Sequence, residues 1–576
     1  MKTGAALVLR ALEDEGIRLA FGIPGTHNIE LYDVLATSKI VRPILVTDEQ
    51  SASFMADAAW RASGVMACAN VVPGAGLTHA MSGIAEAFMD TVPMLVLGCG
   101  IRRDSGMAWQ LHDVDQAAMV APVTKGTFRP ETGAEIYATI RRACRLAREG
   151  RPGPVFVEIP ADFYLFKHEE PGKGPGSGEP GHAGSPPVPA KAPSNDAIEQ
   201  AAAILREAKR PLLYVGLGAA GADLVRLAET LEAPVATTFQ GKGVFPESHP
   251  LSLWPGYGAS APSFARGIAG DCDVTLAIGC RFGEVATGSY GAPPPGRLIH
   301  IDIDSEVPGR NYPAEVAIVC DADGAVTSLL EKLERRGPDA ELRRKIAEGR
   351  EGAAREIEAP AKEGVSPGKL LRALQERFGP DTIFTSDSGN GTFIAVEALR
   401  LDRPGKLLAP VDYSCMGYSV PAAIGAKLAM PDAPVIALVG DGAFLMTGLE
   451  LLTAATLRIP AAFFILRDRE LAQIAQFQSV AFGRKSESVL PDYDLQAICR
   501  GAGVECLHLS SDAAIPEVLD QVEAITKGGD PVAVDVAIDY SRKTFFTRGV
   551  VRTNLGRLPW PDRLRFVGRA IARKIG

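Results

Sequence analysis

Short, nearly uninterrupted runs of aliphatic and β-branched residues recur along this chain. Helix-length stretches separate them, and this alternation restricts the fold more than any other feature. The runs fall at 44–47, 67–72, 94–97 and 155–159, then at 212–215, 234–238, 274–278 and 298–303, then at 382–386, 435–439, 462–466 and 532–536. An apolar run without polar alternation is a strand covered on both faces, and strands joined by helices pair in parallel. The expected fold is therefore α/β, with three domains whose parallel sheets are flanked by helices. Two stretches without a core-forming pattern separate the domains. Residues 169–195 are dense in Gly and Pro and read as a linker. Residues 337–366 are charged and nearly free of large apolar side chains, and read as an exposed helix plus connector. The domains then span 1–168, 196–336 and 367–545, followed by a basic tail at 546–576.

A chain of 576 residues has room for three domains of about 100–200 residues each. Hydrophobic residues make up 46% and charged residues 22%, which excludes a disordered or fibrous chain. A net charge of −9 argues against a nucleic-acid binder. No apolar run reaches the ~18 residues of a membrane span. The apolar stretch 5–12 is followed at once by Glu13, Asp14 and Glu15, and reads as a surface helix rather than a signal peptide. The nine cysteines are scattered and form no C-x-x-C pair, so they are expected to be reduced thiols in a cytoplasmic protein.

The third domain carries the sharpest chemical signal. The run 435–439 ends in Gly440-Asp441-Gly442, a helix is expected over 448–458, and the run 462–466 ends in Arg467-Asp468. A right-handed βαβ crossover places the ends of its two strands side by side or one strand apart. Asp441 and Asp468 then converge at the carboxyl edge of the sheet, where ligands of open α/β sheets bind. Two carboxylates there suit Mg²⁺ or Ca²⁺, with phosphate oxygens and a backbone carbonyl completing the shell. Gly440 and Gly442 let the backbone come close to a diphosphate. On the triplet alone, a tight turn in which Asp441 caps a helix is the commoner reading.

The spacing changes that balance. Asp468 stands 27 residues beyond Asp441, and Gly-Asp-Gly followed at that distance by a ligating Asn or Asp resembles the thiamin diphosphate motif. Most of that family ends the motif in Asn-Asn, and the catabolic acetolactate synthases in Asn-Asp. This chain has Arg467-Asp468, so Arg467 is a departure. In the first domain, Phe21-Gly-Ile-Pro-Gly-Thr-His27, Asp48-Glu49-Gln50, Met55-Ala-Asp57, Gly74-Ala-Gly76 and Met89-Asp-Thr-Val-Pro-Met94 are similar to the pyrimidine-binding domain of acetolactate synthase-like enzymes. Their pattern there is F-G-x-P-G, H-E-Q, M-A-D, G-P-G and M-D-S-x-P. The second domain adds Thr238-Phe-Gln-Gly-Lys-Gly243, Gly279-Cys-Arg-Phe282 and Ile301-Asp-Ile-Asp304. The third adds Ser414-Cys-Met-Gly417 and Pro421-Ala-Ala-Ile-Gly425. The resemblance covers roughly residues 4–540, with the motifs in the expected order. The run 115–125 is also similar to benzaldehyde lyase.

This resemblance implies thiamin diphosphate and Mg²⁺ as cofactors. It makes 1–168 the pyrimidine-binding domain, 196–336 a central nucleotide-like domain and 367–545 the diphosphate- and Mg-binding domain. Glu49 matches the acid that holds the ring nitrogen of the cofactor's aminopyrimidine, and Asp48 replaces the usual His before it. Met416 matches the residue that props the bent cofactor, and Ser414 stands where a Gly usually offers its carbonyl. Cofactor contacts are also implied for Gly25, Gly74, Asn390, Gly440, Asp441, Gly442, Ala443, Asp468 and Ile474. The implied Mg²⁺ ligands are Asp441, Asp468 and the carbonyl of Glu470. Thr26, His27 and His112 align with loops that line the reaction centre, and His can shuttle protons near neutral pH. Phe477 stands where anabolic acetolactate synthases have a Trp that shapes the second-substrate pocket. Ile474 stands where pyruvate decarboxylases carry a catalytic Glu, which argues against simple protonating decarboxylation.

The implied activity is carboligation of the acetolactate synthase type, in which a 2-oxo acid is decarboxylated and its acyl unit transferred to a second carbonyl. The alternative is a C–C lyase or decarboxylase acting on an aromatic 2-oxo acid, an acyloin or a 2-hydroxyacyl-CoA. A non-enzymatic relative is disfavoured because Glu49, Asp441 and Asp468 are all present. Anabolic acetolactate synthases bind FAD near the positions of Gly216, Gly218, Arg281, Asp302 and Asp321, but the flavin-free reading is favoured here. A homodimer or homotetramer is implied, because in the family the two cofactor-binding domains of opposite chains face each other. The resemblance does not cover the tail 561–576, where Leu564, Val567, Ile571 and Ile575 form an apolar stripe among five positive charges. Docking of that stripe on its own subunit or a neighbour is favoured over contact with an anionic membrane surface.

Overall fold

The computed structural model describes residues 1–169, 192–557, 559 and 560. Three six-stranded sheets, parallel throughout, follow one another along the chain. From edge to edge the first runs Arg42–Leu45, Leu19–Gly22, Cys68–Val71, Leu95–Gly100, Val155–Pro160, Thr127–Phe128. The third runs Leu407–Leu408, Ile383–Ser386, Val435–Gly440, Ala462–Arg467, Val532–Ala537, Glu505–Leu509. Counted in chain order within each domain, both sheets have the strand order 2-1-3-4-6-5. The central sheet has the order 3-2-1-4-5-6, from Ser252–Pro255 at one edge to Val316–Val319 at the other. The three-domain α/β architecture with parallel sheets is therefore as the sequence led one to expect.

Each expected apolar run is a strand, with ends moved by a few residues. Within these three sheets the apolar-run criterion missed six strands. Five of them, Thr127–Phe128, Ser252–Pro255, Val316–Val319, Leu407–Leu408 and Glu505–Leu509, lie at sheet edges. An edge strand is short or partly exposed and has no need of a continuous apolar run. The sixth, Leu19–Gly22, is interior and fully buried, but half of it is Ala and Gly.

Two local expectations need correction, and the helix expected in the connector is present. The helix expected over 448–458 starts earlier, as Asp441–Thr447. It tightens into the 3₁₀ turn Gly448–Glu450 and resumes as Leu451–Thr456. The break turns Glu450 inward, where its buried carboxylate accepts bonds from Thr47 N at 2.7 Å, Thr47 Oγ1 at 2.5 Å and Thr453 Oγ1 at 2.7 Å. The N-terminal helix Gly4–Asp14 is not merely superficial, since Leu7, Val8, Ala11 and Leu12 are buried. The connector contains the helix Ala340–Ile357, which buries Leu342, Ile346 and Ala353. Most of the Gly/Pro-rich linker (170–191) and the tail 561–576 lie outside the described residues. Among the described residues, no helix is long and apolar enough to cross a membrane.

The largest core cluster joins the first and third domains. Helix Glu49–Ser63 packs on helix Ser419–Ala429 so closely that a Cβ at Gly425 would lie 2.4 Å from the Met55 carbonyl oxygen. Only a glycine fits at that crossing. Beside it, the Arg61 guanidinium pairs with Asp57 at 2.6 Å and Asp90 at 2.9 Å, all three side chains being buried. The Tyr418 hydroxyl donates to Asp57 at 2.6 Å, and Asp90 accepts from Val411 N and Asp412 N. Asp57 and Asp90 belong to two of the sequence motifs of the first domain, and they converge on one cation at the interface with the third. Removing that cation leaves two buried carboxylates without a counter-charge. Arg61→Met is expected to cost ~3–5 kcal/mol, measured as a lower urea midpoint of unfolding, with partial recovery in Arg61→Met/Asp57→Asn.

Candidate active site

The shared strand order places two clefts at equivalent points of the first and third sheets. In each, the first and third strands in chain order lie side by side, and the connections from their carboxyl ends run to opposite sides. Ligands of open α/β sheets bind at such a point.

In the third domain, Asp387–Gly389 follows the first strand, Gly440 and Asp441 end the third, and Asp468 follows the fourth. Gly440 pairs with Leu466 in the ladder, which sets Asp441 beside the Asp468 turn. Asp441 accepts from Gly442 N and from Arg469 N, both at 2.8 Å, so its carboxylate is fixed across the two strand ends. Asp468 accepts from Glu470 N at 3.3 Å. These residues line a cavity of about 140 Å³, together with Asn390, Met416, Gly440, Gly442, Ala443, Glu470, Ile474, Asp387 and Tyr540. No atom lies within 4 Å of a Cβ built on Gly440, which leaves the backbone open to a ligand there. Asp387 Oδ2 and Asn390 Oδ1 are buried in this wall without a hydrogen-bond partner. Burial pushes the Asp387 carboxyl up to about 7. Ser414 sits at φ 67°, and its hydroxyl meets that of Ser388 at 2.7 Å. Paired carboxylates, orphaned polar atoms and an open glycine backbone fit a divalent cation with a diphosphate.

The first domain builds a second cluster. Asp48 caps helix Glu49–Ser63 by accepting from Gln50 N at 2.8 Å, and Glu49 is the first helical residue, 7% exposed. A Cβ at Gly76 would lie 2.9 Å from Glu49 Oε1, so the second glycine of that motif makes room for the carboxylate. Gly25 N donates to Asn28 at 2.8 Å and holds the turn that presents Thr26 and His27. Thr26 Oγ1 lies 3.2 Å from His27 Nδ1, and the His27 and His112 rings meet edge to face at 5.6 Å. Burial, then His112, hold His27 below the usual imidazole range. His112 is at φ 66° and packs against Gly74.

None of Thr26, His27, Glu49, Gly74 or His112 lines the 140 Å³ cavity. The structure gathers the candidate residues into two clusters on two domains, and one chain does not merge them.

Several residues went unnoticed in the sequence. Gln116, buried, bridges the two loops of the first cluster by accepting from Gly74 N at 3.1 Å and donating to Cys99 O at 3.0 Å. His79 lies 3.5 Å from Asp48 and 3.6 Å from Glu49. Asp387 directly follows an apolar run, a signal that could have found it. Tyr540 carries none, because it enters the cavity from a segment far along the chain.

Family models described as Thiamine pyrophosphate enzyme match the chain three times. The N-terminal TPP binding domain matches residues 2–119, the central domain 198–330 and the C-terminal TPP binding domain 387–536. The probable acetolactate synthase large subunit of Methanocaldococcus jannaschii is 34% identical over 559 residues, covering 93% of this chain and 92% of that protein. The acetolactate synthase large subunit of Corynebacterium glutamicum is 32% identical over 557 residues, covering 93% and 87%. Isozyme 1 of Escherichia coli is 30% identical over 553 residues, covering 94% and 95%. With two strand-edge sites of this geometry, these matches define a thiamin diphosphate-dependent enzyme of the transferase type. Within that class, the chain belongs to the acetolactate synthase-like family.

Asp468 gives the cavity a measurable pH dependence. Burial, then the charge of Asp441, push its carboxyl from 3.8 up to about 7. Below that pH a proton competes for the oxygen a divalent cation would use. If the cavity takes Mg²⁺, its apparent affinity is expected to fall as pH drops from 8 to 6, by up to about tenfold per pH unit for one displaced proton. Calorimetric Mg²⁺ titrations at pH 6, 7 and 8 check this, with Asp468→Asn as the control in which the dependence flattens.

Proposed function

We propose that this protein is an Mg²⁺-dependent carboligase of the acetolactate synthase type, which decarboxylates a 2-oxo acid and joins its acyl unit to a second carbonyl. The observation that carries the reading is the pairing of Asp441 and Asp468 across adjacent strand ends around an open glycine backbone. In this reading Asp441, Asp468 and the Glu470 carbonyl hold Mg²⁺, and Gly440, Gly442, Ala443 and Asn390 receive the diphosphate. Met416 and Ile474 support the body of the cofactor. Bound thiamin diphosphate would supply a nucleophilic carbon and an electron sink for decarboxylation. Glu49 holds a proton against the pyrimidine ring nitrogen. Thr26, His27 and His112 handle protons at the substrate oxygens. Burial disfavours charge on His27, which suits it to act as an acceptor. Ile474 at the cavity rim is apolar, so no carboxyl there delivers a proton in place of the second carbonyl.

FAD is left out of this reading. Gly216 N and Gly218 N already donate to Ile278 O and Gly279 O, at 3.0 and 3.2 Å. Arg281 pairs with Asp412, and Asp321 caps helix Ala322–Leu330. A cytoplasmic location is supported by nine free cysteines, eight of them buried. The lyase or decarboxylase alternative is separated from carboligation by analysing the products from pyruvate, alone and with an aromatic 2-oxo acid.

The conservative change to Gln keeps the side chain's size while removing the carboxyl, which also lies 3.6 Å from His79. Glu49→Gln is expected to fold normally and to lose at least about 10³-fold in turnover, roughly 4 kcal/mol, read as 2-oxo acid consumption. A variant keeping a third of wild-type turnover contradicts the assignment.

The separation of the two clusters supports a site shared between two copies of the chain. Glu49→Gln and Asp441→Ala chains, each inactive alone, are expected to regain activity when mixed and allowed to exchange subunits, up to one intact site per heterodimer. Absence of recovery after exchange verified by mass spectrometry rejects the shared site.

A further inference from the structure

Arg467 departs from the family pattern, and the structure gives it a set of contacts that an Asn could not make. Its Nη1 donates to Asp535 at 3.0 Å, and its Nη2 donates to Asp492 at 3.2 Å and to the Tyr493 carbonyl at 3.1 Å. Its guanidinium lies 4.6 Å from the centre of the Tyr493 ring. Asp535 belongs to the neighbouring strand Val532–Ala537, while Asp492 and Tyr493 end a segment that folds back over the turn holding Asp468.

That segment touches the turn at several points. Leu471 N donates to Ser488 O and Leu490 N to Arg469 O, both at 2.9 Å, and Lys485 pairs with Glu470. At its far end the Tyr493 hydroxyl reaches the Asp441 carbonyl at 3.5 Å, and the ring lies nearly parallel to that of Phe444 on the helix that begins at Asp441. A chain of contacts thus runs from Arg467 through Tyr493 to Asp441. Asp492 and Asp535 lie behind the cavity lined by Asp441, Asp468 and Glu470, and Arg467 bridges them, with Arg469 also 3.5 Å from Asp492. A planar fork that bridges two carboxylates and stacks on an aromatic ring is a task for Arg, which neither the shorter Asn nor the point charge of Lys reproduces.

We propose that Arg467 is a positioning residue that clamps segment 485–493 over the turn 468–471 and thereby sets the affinity of the site for its divalent cation. The second half of this proposal rests on the reading of Asp441 and Asp468 as Mg²⁺ ligands; the clamp itself does not.

The test compares the wild-type protein with Arg467→Asn, Arg467→Lys and Arg467→Asn/Asp535→Asn. Trypsin cleavage after the exposed Arg484 and Lys485 in cofactor-free protein reads the clamp. The Mg²⁺ concentration needed for half-maximal retention of thiamin diphosphate in equilibrium dialysis reads the affinity. Arg467→Asn is expected to be cleaved about tenfold faster and to need roughly tenfold more Mg²⁺, the usual effect of losing a support behind a metal ligand. Arg467→Lys falls between the two. Arg467→Asn/Asp535→Asn needs at least as much Mg²⁺ as Arg467→Asn, because the Asp535 carboxylate left unpaired in the single variant attracts the cation and is absent in the double. A merely structural role would lower the thermal midpoint and leave the Mg²⁺ requirement unmoved. If Arg467→Asn does not fold, Arg467→Lys carries the comparison. An unchanged cleavage rate overturns the clamp, and a Mg²⁺ requirement within twofold of wild type overturns the link to affinity. If the wild-type protein retains no thiamin diphosphate at any Mg²⁺ concentration, the site reading fails, and the cleavage rates still judge the clamp.

Discussion

The crossing of helix Glu49–Ser63 over helix Ser419–Ala429 is the contact on which the rest of the structure depends. It brings two domains of the same strand order together at their most tightly packed point, with Gly425 directly against the Met55 carbonyl. The first helix begins at Glu49, and the second follows Met416 closely in the chain, so the packing that joins the domains also positions both clusters. Around the crossing the core is continuous, from Phe54 and Ala58 on one side to Val420 and Ile424 on the other. Dense packing of this kind transmits small displacements instead of absorbing them. Buried charge at the same interface adds directionality: Arg61 requires Asp57 and Asp90 to arrive from two elements of the first domain, while Tyr418 and the backbone at 411–412 arrive from the third.

The site itself is an accumulation of carboxylates in poor solvent. Asp387 and Asp468 are both pushed up to about 7, the first by burial alone and the second by burial and Asp441. Such groups are unfavourable in isolation, and the fold holds them with main-chain donors. Asp441 takes two backbone N–H groups and Asp387 takes that of Tyr418 at 2.8 Å. Strain gathers nearby, with Ser414 and Arg469 in the left-handed region beside the third-domain cavity and His112 beside the first cluster. Non-glycine residues hold that conformation only where the surroundings enforce it.

Much of this architecture was legible in the residues. Interior parallel strands announce themselves because burial on both faces leaves no room for polar alternation, as at 435–439 and 274–278. The convergence of Asp441 and Asp468 followed from the spacing, since a βαβ unit has a short, handed crossover. Edge strands such as Thr127–Phe128 and Leu407–Leu408 were invisible because two residues with one open side carry no period. The helix after Gly440 was placed too late, because amphipathicity marks the face of a helix and not its first turn.

The sequence by itself determined the fold class and the convergence of Asp441 and Asp468, because apolar runs and the spacing of a crossover are local, and its motifs carried the resemblance that implied the cofactor family. Tertiary structure alone decided the rest. It turned Asp57 and Asp90 from two separate motifs into the counter-charges of one Arg61, and made Gln116 a bridge between loops that share no pattern. It brought Tyr540 into a cavity built around residues 387–474, and gave Arg467 partners 25 and 68 residues away. Contacts of that kind depend on which faces of distant elements meet. Nothing in the spacing of residues along a strand or helix encodes that, because it is settled only when the packed surfaces exclude water and leave one arrangement of the buried side chains.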